Sequence, residues 1–186
     1  MDIEIESTTL SRVIILKPKR HRDNRGFFTE TYHKDKYADA GITVNFVQDN
    51  VSFSFKNILR GLHYQLPHPQ AKLIHVLRGS IFDVAVDIRP ASPTFAKWAG
   101  IELSADNGYQ IFIPEGYAHG YFTLSDKAIV TYKCSDFYHP EDEGGIYWAD
   151  PYIAIAWPSK NPILSEKDSS YPSFNDIPHS KLQNYL

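Results

Sequence analysis

The sequence predicts an all-β fold, a sandwich or barrel of many short strands, and three observations carry that expectation. Residues 80–88 alternate with a period of two, which puts Phe82, Val84, Val86 and Ile88 on one face and Ile81, Asp83, Ala85 and Asp87 on the other. Comparable β-rich runs recur near 44–48, 51–55, 73–77, 97–103, 109–113, 118–124 and 128–138, divided by Gly, Pro, Asn and Asp at 78–80, 89–93, 104–108, 114–116 and 125–127. The 12 tyrosines and 11 phenylalanines among 186 residues suit pleated surfaces and stacking on flat ligands better than a helical bundle.

From the N-terminus, MDIEIESTTL carries acidic residues and no long apolar run, so it reads as neither signal peptide nor membrane anchor, and the protein is expected to be soluble and cytoplasmic. Lys17, Lys19, Arg20, His21, Arg22 and Arg25 then make a cationic run that reads as a solvated loop. Arg25 differs, because Gly26, Phe27 and Phe28 follow it and would hold it at the edge of the core. Residues 34–40, ended by Gly41, form the one short helix candidate before the strands begin. RGLHYQ at 60–65 and IPEGYAHGY at 113–121 lie on the barrel wall, with Lys72, Asp83 and Asp87 between them. The run 128–138 puts Tyr132 and Tyr138 on one face, roughly 20 Å apart at ~3.3 Å per residue if the strand is straight. The tail beyond 158 is Pro-rich and can supply one or two more helices. Trp157, Ile163, Leu164, Tyr171 and Phe174 want burial, so it is expected to pack on the barrel. One domain is expected over 1–186, with the core at about 44–158 and the tail at 159–186.

Composition narrows the function. With Cys134 the single cysteine, no disulfide framework is possible. A net charge of −3 and a pI near 6.2 argue against a nucleic-acid binder, whereas a small anionic ligand needs only a few local cations.

The stretch Pro114-Glu115-Gly116-Tyr117-Ala118-His119 fits the P-x-G-x-x-H motif of cupin barrels, in which a turn delivers a histidine to the interior. A metal-binding cupin would also show His-x-His followed by Glu. This chain has His63-Tyr64-Gln65 and then Pro67-His68-Pro69, too few convergent ligands for a catalytic metal. The acid, base and cation that remain suit proton transfer next to a ketone, with His63 as base, Lys72 or a neighbouring donor at the enolate oxygen, and a tyrosine as acid.

RGFFTETY at 25–32, FVQDN at 46–50, LRGLHYQ at 59–65, AKLIHVLRG at 71–79, FDVAVDIR at 82–89, SPTF at 92–95, IPEGYAHGY at 113–121, YKCSDFYHPEDEGGIYW at 132–148, DPYIAIAWP at 150–158 and LSEKD at 164–168 follow one another as in a known family. By these segments the chain resembles, almost end to end, the dTDP-4-dehydrorhamnose 3,5-epimerases. The resemblance implies a cupin-like jelly-roll β-barrel with a few short peripheral helices, free of metal and cofactor and usually a homodimer. It implies action on dTDP-4-dehydro-6-deoxy-D-glucose to give dTDP-4-dehydro-L-rhamnose, by proton exchange at C3 and C5. By position, His63 resembles the general base, Asp168 its orienting carboxylate, Tyr132 the acid, and Lys72 the group beside the C4 oxygen. Arg25, Glu30, Gln48, Asn50, Arg60, His119, Glu143 and Lys167 match the family's nucleotide-binding positions, and Tyr138 its thymine-stacking residue.

Two residues also have local readings. Asp168 stands three after Ser165, a capping spacing that suits a helix-start carboxylate, and Tyr132 taken alone suits strand packing. Against the family, the loop Leu66-Pro67-His68-Pro69-Gln70 and the tyrosines at 117 and 121, where phenylalanine is common, are departures. They leave the acid and base in place but bear on sugar preference, so a C3-only epimerase of a related nucleotide 4-keto-6-deoxysugar is the alternative.

Overall fold

A computed structural model describes residues 2–182. Its strands form two large antiparallel sheets that face each other and one separate two-stranded hairpin. The six-stranded sheet has the order β1 (Ile3–Ser7), β2 (Ile14–Pro18), β10 (Gln110–Ile113), β7 (Lys72–Arg78), β12 (Lys127–Cys134), β5 (Gln48–Phe55). The five-stranded sheet runs β13 (Glu143–Gly145), β6 (Leu59–Gln65), β11 (Tyr117–Thr123), β8 (Ser80–Asp87), β9 (Trp98–Ser104). The all-β, cupin-like architecture is therefore present, with α1 (Lys34–Asp39) and α2 (Glu166–Ser169) at the periphery. Gly41 follows α1 at φ +90°, as a helix stop requires.

Three apolar layers hold these parts together. Between the sheets, Ile74, Val76, Ile111, Ile113, Ala128 and Val130 of one meet Ile81, Ala85, Leu103, Tyr117 and Tyr121 of the other. On the outside of the six-stranded sheet, Tyr37 of α1, with Ala40 and Ile42 just after it, covers Leu16, Leu73 and Phe112. On the outside of the five-stranded sheet, Leu62, Val84, Val86, Ile88 and Ala118 lie under Ile146, Ile153, Phe174, Ile177 and Leu182. Each fully buried aliphatic or aromatic side chain contributes about 1.5–3 kcal/mol, so the C-terminal segment is held by its apolar residues despite its prolines.

The alternating strand β8 is thus buried on both faces, at 0% exposure for Asp83, Val84, Val86 and Asp87. Its apolar face lies under the C-terminal segment, while its carboxylates point between the sheets. Asp87 is tied there to Arg89 at 2.7–2.8 Å and accepts from Ser92 and Thr94.

Several expectations need correction. The run at 51–55 belongs to a longer strand, β5, which starts at Gln48, whereas residues 44–47 of the other run precede it outside any strand. β12 stops at Cys134, after which Ser135 and Asp136 turn the chain, so Tyr132 and Tyr138 do not share a strand. The cationic run is not a plain loop: part of it forms a hairpin, β3 (His21–Asp23) and β4 (Gly26–Phe28). Phe27 and Phe28 of that hairpin are 51% and 71% exposed, so they do not hold Arg25 against the core. Residues 183–186 of the expected tail lie outside the described residues. Among those described, no helix is long and apolar enough to cross a membrane.

Candidate active site

At one end of the space between the sheets, alternate residues of six strands turn their side chains towards a common cavity. Register fixes the set: on the six-stranded sheet Asn50 lies opposite Tyr132, Gln48 opposite Cys134, and Lys72 opposite Cys134 on its other side. On the five-stranded sheet His119 pairs with His63, and Ala85 lies opposite His119. Because side chains alternate at a period of two, Lys72, Tyr132, Asn50, His63 and His119 all project inward.

The cavity has two lobes of about 290 and 260 Å³. Gln48, Asn50, Gln70, Tyr138 and Glu143 line the first; Arg60, His119, Tyr121, Lys167 and Asp168 line the second. His63, Lys72 and Tyr132 line both, so they stand where the lobes meet.

His63 Nε2 lies 2.6 Å from Asp168 Oδ1 and 4.0 Å from Glu143 Oε1. Asp168 is brought there by α2, whose N-cap Ser165 accepts the Asp168 backbone N–H at 3.0 Å. The capping geometry and the histidine contact coexist, because the cap uses the backbone of Asp168 and leaves its carboxylate free to turn inward. Burial pushes that carboxyl up, but hydrogen bonds from His63 and Ser165 outweigh burial and hold it below the usual range.

Glu143 is a hub. Its carboxylate accepts from Lys167 at 2.6 Å, Tyr138 at 2.5 Å and Tyr171 at 3.0 Å. Burial alone would raise its pKa, and these donors lower it. Tyr138 is also anchored through its backbone N–H, which donates to Gln48 Oε1 at 3.0 Å, and Gln48 donates in turn to Asn50. Thus Gln48, Asn50, Tyr138, Glu143 and Lys167 form one polar chain along the cavity.

Burial pushes the Tyr132 hydroxyl up to about 12, so it is protonated at neutral pH. Desolvation moves the Lys72 ammonium the other way, below its ordinary value, against the pull of Cys134, Glu143 and Asp83. His119 Nε2 lies 2.8 Å from Asp83 Oδ2. Asp83 Oδ1 is buried and makes no hydrogen bond among the described residues.

Two predicted residues stand apart. Arg25 is exposed and clasps Asp23 of its own hairpin at 2.6 Å, and Glu30 pairs with Lys36 at 2.8 Å; neither lines the cavity. Conversely, Tyr171, which the sequence marks only for burial, touches Glu143 and meets the His63 ring edge to face at 5.7 Å. Tyr121 also lines the cavity, its hydroxyl 2.8 Å from Ser52 Oγ. Only the inward parity of Tyr121 on an already suspect strand could have signalled it; Tyr171 lies in the irregular tail, where no periodicity exists.

The chain is similar to known proteins over nearly its whole length. The family profile for dTDP-4-dehydrorhamnose 3,5-epimerase matches residues 7–176. A dTDP-4-dehydrorhamnose 3,5-epimerase of Methanothermobacter thermautotrophicus is 48% identical over 174 residues, covering 92% of this chain and 94% of that one. A dTDP-6-deoxy-D-glucose-3,5-epimerase of Legionella pneumophila, solved with dTDP-4-keto-L-rhamnose, superposes with a TM-score of 0.96 at 47% identity and 99% coverage of both chains. A 3′-monoepimerase of Streptomyces bikiniensis, solved with dTDP-quinovose, is more distant at 31% identity and TM-score 0.84, covering 90% of this chain and 86% of that one.

Proposed function

The chain belongs to the dTDP-4-dehydrorhamnose 3,5-epimerase family, and from that premise we propose how this cavity converts dTDP-4-dehydro-6-deoxy-D-glucose to dTDP-4-dehydro-L-rhamnose. C3 and C5 both flank the C4 ketone, so one carbonyl acidifies both protons, and one base, one acid and one oxyanion donor serve both carbons.

His63 is the base. Asp168 accepts from Nε2–H, which fixes the tautomer and leaves the lone pair on Nδ1 to take the carbon proton. Lys72 supplies positive charge to the developing enolate oxygen. Tyr132, kept protonated by burial, returns a proton from the other side. The observation that carries this reading is that His63 and Tyr132 sit on facing sheets yet line the same two lobes. A proton removed towards one wall and replaced from the other inverts the carbon between them.

The nucleotide takes the polar chain beyond. Tyr138, about half exposed at the lip, offers its ring to the thymine, with Gln48, Asn50, Glu143 and Lys167 around it. Arg60 and His119 provide donors for the diphosphate. Arg25 and Glu30 complete this set through a homodimer in which the 21–28 hairpin of one copy reaches the cavity of another. The exposed apolar row Val51, Phe53 and Phe55 with Leu77, on the outer face of the six-stranded sheet, supports such pairing.

Incubation with dTDP-4-dehydro-6-deoxy-D-glucose in D₂O, read by NMR and mass, tests the reading. Deuterium at C3 and C5 is expected. Deuterium at C3 alone would make the protein a C3-epimerase of a related 4-keto-6-deoxysugar.

A further inference from the structure

Outside the cavity, two histidines and a carboxylate converge at a place the epimerase chemistry does not use. His68 lies in the loop between β6 and β7; His139 caps and Asp142 ends a 3₁₀ turn, Pro140–Asp142, that precedes β13. In a 3₁₀ turn positions i and i+3 eclipse, so His139 and Asp142 present their side chains on one side. His68 closes on both: its Nδ1 is 2.5 Å from Asp142 Oδ2, and its ring stacks on that of His139 with centroids 4.4 Å apart. One ligand atom from each of the three lies within 4.8 Å of the others. Glu141 Oε1 stands 3.8 Å from His139 Nδ1, a second carboxylate beside the three.

The backbone that carries these groups is fixed. The buried amide of Gln65 donates to His68 O at 2.5 Å and to Phe137 O at 3.0 Å, and its oxygen accepts His139 N–H at 2.8 Å. Leu66 N–H reaches Asp142 O at 3.0 Å, and Gln70 and Ala71 are tied to Asp136 O and Ser135 Oγ. One loop is thereby clamped to the other on both sides of the cluster, and only side-chain torsions are left to adjust.

We propose that His68, His139 and Asp142 form a surface site for a divalent transition cation of the zinc class, separate from the catalytic cavity and taking no part in proton transfer. Two imidazoles and one carboxylate suit such an ion, and Glu141 or water completes the tetrahedron. Tetrahedral ligands at zinc lie roughly 3.3 Å apart, so closure takes a shift on the order of 1.5 Å. Rotation of His68, the most exposed of the three, supplies that shift without moving the backbone. The site sits on the segment that also carries Tyr138 and Glu143, so its cation would stiffen one rim of the cavity.

The test is titration of the untagged, full-length protein with Zn²⁺ against a chromogenic chelator, with Co²⁺ absorption to report coordination. One cation per chain at micromolar Kd is expected, weakened at least ~10-fold in His68→Asn and in His139→Asn and unchanged in His63→Asn. No stoichiometric binding would overturn the proposal. So would binding that survives both of the first two substitutions, or that disappears in His63→Asn and so belongs to the catalytic cavity. Circular dichroism of each variant separates a lost ligand from a lost fold.

Discussion

His63 and Asp168 act as a unit at the scale of single residues, so the two substitutions carry related expectations. His63→Ala should lower kcat/KM by at least ~10²–10⁴ with the circular dichroism spectrum unchanged. Asp168→Asn should also cut kcat strongly while α2 persists, because the cap to Ser165 uses the backbone N–H and survives the change. Near-normal turnover in either variant would remove the base assignment. For Tyr132→Phe, solvent exchange at the α carbons should outlast net inversion, since proton removal survives while return from the opposite wall fails. Parallel NMR measurement of exchange and product distinguishes the two rates. The chemistry-bearing residues were legible individually because their motifs are local. The partners that orient them were less so: Asp168 reads on spacing as a helix cap, and Tyr171 reads only as an aromatic seeking burial.

At the scale of elements, β6 is delivered to the site by glycine. Gly61 has φ +108°, and a Cβ there would stand 2.6 Å from His119 O and 2.7 Å from Gly120 Cα, opposite the point where the β6–β11 register shifts between His119 and Tyr121. The two strands approach too closely for a side chain. Gly61→Ala should therefore destabilise by about 1–3 kcal/mol from backbone strain alone. It should also depress activity beyond the stability loss, because His63 and His119 are directly paired across this junction; urea denaturation and kcat/KM together check it. Most strand positions were legible from alternation and punctuation. The short pieces β1, β2, β3, β4 and β13 were not, because three to five residues carry too little periodicity to be told from loop.

For the molecule as a whole, stability and assembly follow from what is buried and what is not. Asp87 is fully enclosed; burial would raise its pKa, but Arg89, Ser92 and Thr94 outweigh that and hold it low. A carboxyl lowered in the folded state stabilises fully above its unfolded value, about pH 4, and loses that contribution as pH falls through the folded value. Asp87→Ala should cost about 3–5 kcal/mol at pH 7, since it removes the carboxylate that offsets the buried charge of Arg89, and the gap from wild type should shrink below pH 4 in denaturation curves. Assembly is checked by sedimentation: a dimer is expected, shifted towards monomer by Phe53→Glu together with Phe55→Glu. Arg25→Ala should weaken dTDP binding at least ~10-fold if the hairpin serves a neighbouring cavity. By itself the sequence determined the strand content, the family and the residues able to move a proton. The tertiary structure alone decided that β8 turns its carboxylates inward and its apolar face under the C-terminal segment, and that the 21–28 hairpin projects away from its own chain's core. It also set the 2.6 Å distance at which His63 meets Asp168, a carboxylate 105 residues away that the family resemblance already pairs with it. The physical reason is that a period of two fixes which side chains share a face. Which face becomes interior is settled only when distant segments compete to cover it.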